Sequence, residues 1–328
     1  MNKYLPFIVS AVVVLIMLPV AVFPDRPLLL AERVFTGGGI VQVLIVSLYA
    51  GFLTGKMIDV SQRAKWRRYS WLLFGILFYF QLLLGITADS LFLMTGKLHL
   101  PVPAVIIAGP LYRFSSWFMI ILFLSTLLLS GPAWCSHLCY FGAFDAIMAK
   151  SKGGPAMKKL RWNLAKSKPV LRLAVLFLVV SIALLLRILN GSQGTAVLLA
   201  ILFLVAGFGI MIFVSRRSGA MVHCSVWCPV GTAVNYLKYV SPFRFVANST
   251  CTSCMKCIPS CSYMAMSRGT DGKLKIGNGC TYCGDCLSSC SHNGLEYRFP
   301  GLSPAGAERL WIAVTVILHA VFLAIARV

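Results

Sequence analysis

The sequence predicts a mainly α-helical, polytopic membrane protein with one small cysteine-rich domain inserted ahead of its last helix. Three observations carry this. Of 328 residues, 59% are hydrophobic and only 12% charged. Several apolar runs reach the length of about 20 residues that crosses a bilayer. Eight of the 12 cysteines crowd into one polar stretch, residues 251–290. The first two exclude a globular soluble enzyme. The net charge of +21 could point to nucleic acid, but most Lys and Arg lie between apolar runs, where they set orientation; no nucleic-acid partner is expected.

The first run, 5–23, follows a single lysine. No A-x-A-like cleavage site comes after it, only Pro24-Asp25-Arg26-Pro27, so it reads as an uncleaved helix. Further spans are expected at 38–55, 70–87, 114–131, 171–189, 196–214 and 309–326, each flanked by charge, Gly or Pro, giving about seven transmembrane helices. The stretch Leu98–Leu111 carries Pro101, Pro103 and Pro110 and is too short to span, so a re-entrant or interfacial segment is expected. Trp71, Trp117 and Trp311, near span ends, read as interfacial anchors.

The loop after the second span holds Lys56, Arg63, Lys65, Arg67 and Arg68, and the one after the fourth is richer still, from Lys150 to Lys168. By the positive-inside rule both face the cytoplasm. Arg216 and Arg217 mark the same side after the sixth span, so the Cys-rich block faces the cytoplasm too. The organisation is therefore a transmembrane domain over 1–247, a cytoplasmic domain over 248–300 and a C-terminal transmembrane helix over 301–328.

Within the block, Cys251, Cys254, Cys257 and Cys261 read C-x2-C-x2-C-x3-C, and Cys280, Cys283, Cys286 and Cys290 repeat that spacing 29 positions later. This is the bacterial two-cluster ferredoxin pattern, in which three close cysteines wrap one cluster and the fourth reaches the other. It assigns Cys251, Cys254, Cys257 and Cys290 to one 4Fe-4S cluster, and Cys280, Cys283, Cys286 and Cys261 to a second. Two structural zinc sites would use the same number of thiolates, but zinc sites pair short hooks and do not repeat a run of four. Ser262 and Ser291 stand where this pattern has Pro.

The other four cysteines also pair. Cys135-Ser136-His137-Leu138-Cys139 and Cys224-Ser225-Val226-Trp227-Cys228 share C-S-x-x-C, followed by Gly142 and Gly231. On an α-helix the two sulfurs of each pair would share a face at i and i+4. Matching repeats in two halves of a membrane protein tend to build a shared site. Three readings stay open: a further iron or other metal site at Cys135, Cys139, Cys224 and Cys228, a redox-active dithiol, or cysteine as a small packing residue. His137 and His223 could add nitrogen ligands or simply pack. His319, inside the last run, reads as a hydrogen-bonded interhelical residue. Gln81, Asp89 and His99 are candidates for a quinone headgroup, which needs hydrogen-bond partners.

Together, the proline-rich Leu98–Pro103 segment, the two C-x3-C motifs ending in Gly142 and Gly231 and the tandem cysteine runs resemble the membrane polyferredoxins of the NapH type, with the related NosR and CcoG types. The resemblance covers roughly residues 70–295. It implies a quinol-linked electron-transfer component of the bacterial cytoplasmic (inner) membrane, working in a quinol dehydrogenase complex and not as a stand-alone enzyme. Membrane lipid, quinone and a further redox subunit are the partners it implies. Tyr140 departs from the family, whose motif has Pro there, as Pro229 does in the second copy. The seven helices exceed the simplest members' set, and there is no room for the flavin-bearing domain of NosR types or the all-β domain of CcoG types. The rival function is an assembly or metal-handling factor for a copper or iron enzyme, its thiol pairs holding a soft ion such as Cu(I).

Overall fold

The computed structural model describes residues 3–23, 28–93, 102–114, 117–150 and 155–325. Among these, seven helices are long and apolar enough to cross a membrane: Leu5–Val22, Gly38–Ile58, Val60–Thr87, Phe118–Leu138, Lys159–Ile188, Gln193–Ser218 and Pro304–Ile325. They fall where the hydropathy pattern places them, and the little sheet present is confined to short strands near the cysteine runs. The proline-rich segment forms a helix of 11 residues, Pro103–Arg113, too short to span; His99 and the rest of that motif before Val102 lie outside the described residues.

By packing, the chain forms two compact units. One comprises Met1–His99, Phe243–Phe245 and Glu296–Val328; the other comprises Leu100–Pro242 and Val246–Leu295. The Cys-rich block thus groups with the helices that carry the C-x3-C motifs, a division that runs across the boundaries expected at 247 and 300. The strands in and around it are three or four residues each, too little to bury a core alone.

In the first unit, the Leu5–Val22 helix lies against Gly38–Ile58. Close approach is possible because Gly51 has no side chain: a Cβ there would run into Ser10 Oγ, which donates to Ser47 O at 2.8 Å. His319 pairs with Tyr49 Oη at 3.1 Å across two helices, the interhelical role its buried position suggested. Arg63, 1% exposed, forms an ion pair with Glu308 at 2.5 Å and donates through Nε to Met57 O at 2.7 Å. Trp71 and Trp311 are 1% and 0% exposed and are core residues, not interfacial anchors. Trp71 takes the Arg67 guanidinium over its ring, and Trp311 stacks on Tyr297 at 4.8 Å. A Trp near a helix end looks the same in sequence whether it faces lipid or a neighbouring helix. Trp117 is exposed.

In the second unit, the Pro103–Arg113 helix packs on Pro155–Ile188 and on Pro229–Leu237. The helix Phe118–Ser130 ends at Gly131, whose φ of +61° and ψ of −137° suit only glycine. Strands β2 (Met266–Arg268) and β3 (Leu274–Ile276) pair within this unit, while the β1 (Arg244–Ala247) and β4 (Leu295–Arg298) pair has residues of both units. The β2–β3 hairpin is antiparallel with Met266 opposite Ile276.

Candidate functional site

Each C-x3-C motif is one π-helical turn followed by a new helix. Trp134–Leu138 leads into Tyr140–Met148, and His223–Trp227 into Pro229–Leu237. Cys139 N–H donates to Trp134 O at 3.0 Å and Cys228 N–H to His223 O at 2.8 Å, the i→i−5 bonds of a π-turn. The α-helical face expected from the spacing is therefore wrong. The second cysteine of each pair is extended, with φ/ψ of −85°/115° at Cys139 and −75°/116° at Cys228, and caps the following helix. At Cys228 the cause is Pro229, which bars the helical region to its predecessor. Tyr140 supports the same geometry, so the turn does not depend on proline. Cys228 Sγ accepts from Gly231 N–H at 3.4 Å, and helix N-termini favour thiolate character. A Cβ at residue 231 would stand 2.8 Å from Cys224 O, which accounts for the glycine.

The two turns face each other. Cys135, Cys139, Cys224 and Cys228 line one cavity of about 460 Å3, counted to its open mouth, with Pro103 and Ile106 of the short helix also on its wall. Burial pushes the thiols of Cys139 and Cys224 up and that of Cys228 to about 12, and neighbouring cysteine charge adds to it at Cys224 and Cys228. Such a quartet ionises only against a compensating cationic centre. Neither His137 nor His223 is on the wall. His137 Nδ1 meets Ser136 Oγ at 2.9 Å. His223 stacks on Phe141 at 5.8 Å, and burial pushes its imidazole down to about 4. A Cβ at Gly207 would come within 2.8 Å of that ring.

Asp145, fully buried, accepts from Cys224 N–H at 2.9 Å and so ties the first half to the second; burial raises its carboxyl to about 6. Sequence reasoning missed it. The available signal was that it is the single acidic residue between Asp89 and Asp271.

In the Cys-rich block, Cys251, Cys254, Cys257 and Cys290 line one cavity of about 310 Å3, three from one run and the last from the other. Cys261, Cys280, Cys283 and Cys286 form a second group. Burial, then its three companions, pushes Cys286 well up, and burial, then Cys261, pushes Cys280 to about 11. The two runs are folded alike. Ser253 and Tyr282, Met255 and Gly284, and Met264 and Asn293 all hold positive φ at equivalent positions. Alternation of left- and right-handed residues turns successive N–H groups inward, an anion-binding nest. Ala265 N–H donates to Cys261 Sγ at 3.3 Å and Gly294 N–H to Cys290 Sγ at 3.2 Å, each four residues beyond the cysteine it serves. Among the described residues no three His, Cys, Asp or Glu side chains are close enough to share a single metal ion. The donor sets, all cysteine around roomy cavities, suit polynuclear clusters better than a zinc ion with Zn–S near 2.3 Å.

The four-cysteine cavity and the second group are directly linked. Tyr263, two residues after Cys261, donates through its hydroxyl to Cys135 O at 2.7 Å. Its carbonyl accepts from Lys168 Nζ at 2.6 Å and Ser225 Oγ at 3.3 Å. Ser136 Oγ donates to Thr281 O, beside Cys280, at 3.3 Å. The equivalent serines of the two C-S-x-x-C motifs thus each hold one ferredoxin run. Elsewhere, Gln81 Nε2 donates to Phe92 O at 2.8 Å and Asp89 Oδ1 accepts from Leu91 N–H at 2.8 Å, capping a short turn.

A family described as a 4Fe-4S binding domain matches residues 112–162 and again 197–245. Both stretches hold one C-x3-C pair, and both stop short of the eight-cysteine block. No curated protein and no solved structure matches the chain. The doubled match supports an iron–sulfur electron-transfer protein of ferredoxin type.

Proposed function

We propose that the chain relays electrons between the quinone pool and a separate redox partner, as the electron-transferring part of a larger complex in the bacterial inner membrane. The observation that carries this is the contiguity of three all-cysteine sites within one compact unit. Cys135, Cys139, Cys224 and Cys228 lie one hydrogen bond, through Tyr263, from the group of Cys261, Cys280, Cys283 and Cys286. The serine hydroxyls of Ser260 and Ser289, 2.6 Å apart, then join the two runs on the way to Cys251, Cys254, Cys257 and Cys290. The eight ferredoxin cysteines would hold two 4Fe-4S clusters, and the four others a further iron–sulfur site; such clusters supply one-electron transfer when bound.

The protein's own contribution is positioning and insulation. The nests and the N–H donors to Cys261 and Cys290 preorganise negative charge at the two ferredoxin sites. Pro103, Ile106 and Trp134 make the walls of the inner cavity apolar, as a site exchanging electrons with a membrane-soluble carrier requires. Cys254 is exposed, so electrons leave or enter at the outermost group. The Lys- and Arg-rich loops support a cytoplasmic position for this block. The alternative reading is a metal-handling factor whose thiol pairs hold a soft ion such as Cu(I).

Iron and acid-labile sulfide content of anaerobically purified protein tests the reading. About twelve of each per chain fits three clusters and about eight fits two, with the inner cysteines then acting as thiols. Little iron with stoichiometric zinc refutes it.

A further inference from the structure

We propose that Lys168 and Lys238, with Arg161, hold up the reduction potential of the inner ferredoxin cluster, the one assigned to Cys261, Cys280, Cys283 and Cys286. The inference rests on the electron-relay reading above. Lys168 and Lys238 are 5% and 2% exposed. Lys168 Nζ lies against Gly279, where a Cβ would collide with it, and is within electrostatic reach of Cys261 and Cys280. Lys238 Nζ donates to Cys280 O at 3.0 Å and Asn278 O at 2.7 Å and sits over the Tyr282 ring. Arg161 Nη2 donates to Cys261 O at 2.5 Å and also reaches Ile258 O at 3.4 Å. Lys238 and Arg161 therefore bond the backbone of two cysteines of one set, and Lys168, which donates to Tyr263 O, lies within electrostatic reach of the same two. The acidic group in electrostatic reach of Cys286 is Asp285, partly exposed. At the outer set, the one cation in electrostatic reach of Cys254 is the exposed Lys256 among the described contacts.

A cubane held by four thiolates is an anion, and one-electron reduction adds negative charge to it. Buried cations are barely screened, so they stabilise the reduced form, while exposed Lys256 is screened by water and salt. Coulomb attraction across about 8 Å at an effective dielectric near 20 exceeds a tenfold factor in an equilibrium constant. Lys238 also lies in electrostatic reach of Cys135, so it is placed between the inner cavity and this cluster.

The test is an EPR-monitored potentiometric titration of the full-length purified chain, comparing wild type with Lys168→Met and Lys238→Met; Cys254→Ser identifies the outer cluster's signal. Each neutral variant is expected to shift the reduced-to-oxidised ratio of the inner cluster at least tenfold towards oxidised, about 59 mV for a one-electron couple. The outer cluster should be unmoved, and Lys238→Arg should keep the wild-type midpoint. Unchanged midpoints with iron retained, or equal shifts at both clusters, overturn the proposal. So does loss of the inner cluster in every neutral variant with retention in Lys238→Arg, which makes the cations structural. Absence of any 4Fe-4S signal in wild type sinks the relay reading itself.

Discussion

Replacing Glu308 with Gln removes the carboxylate that faces Arg63. The guanidinium is 1% exposed and keeps the Met57 carbonyl at 2.7 Å and a longer contact to Ile58 O at 3.4 Å, but loses its only described counter-charge at 2.5 Å. Removing one partner of a buried pair costs about 3–5 kcal/mol. Glu308 retains 30% exposure, so water screens part of the attraction and about 2–3 kcal/mol is the expected loss. At about 2–4 °C per kcal/mol, thermal unfolding in detergent should fall by roughly 4–12 °C. Intrinsic fluorescence reports it, since Trp71 and Trp311 are buried in helices of the same unit. Arg63→Met combined with Glu308→Leu should recover more than half of the loss, because no uncompensated charge remains. A Glu308→Gln transition within about 1 °C of wild type, or a double variant as unstable as the summed singles, refutes the reasoning.

Other perturbations reach the redox sites. Cys254→Ala, at an exposed position with little packing to lose, should remove about four irons per chain and loosen residues 248–300 to limited proteolysis; full iron retention would overturn the ligand assignment. Tyr263→Phe deletes the 2.7 Å bond to Cys135 O, costs about 1 kcal/mol, leaves iron content unchanged and should slow stopped-flow reoxidation of the inner site by the outer ones. Gly207→Ala puts a methyl 2.8 Å from the His223 ring and should destabilise the adjoining turn by about 1–3 kcal/mol, seen as increased thiol labelling of Cys224 and Cys228.

The spans and the two cysteine runs are legible because their signals are local: a run of apolar residues or a fixed spacing needs no knowledge of neighbours. The convergence of Cys135, Cys139, Cys224 and Cys228 was foreshadowed by the repeat, but the conformation was not. Spacing of four suggests an α-helix, and only the hydrogen bonds from Cys139 to Trp134 and from Cys228 to His223 show the widened turn. Asp145, Lys168 and Lys238 act through partners 40 to 95 positions away, such as Cys224, Tyr263 and Asn278, and no periodicity encodes such pairs. Trp71 and Trp311 failed for a related reason, since amphipathic position says where a ring can sit and not what covers it.

The bond from Tyr263 to Cys135 also has a consequence for how the protein is made. Ribosomes deliver residue 135 well before residue 263, so all four thiols of the C-x3-C turns exist in the nascent chain before their tether does. Until then the bond from Cys224 N–H to Asp145 links the two turns without that tether, and the cavity wall is free to open. The interval between synthesis of Cys228 and of Tyr263 is therefore the period in which a cofactor-loading factor would find those thiols most accessible, and docking of the cysteine-rich block closes it.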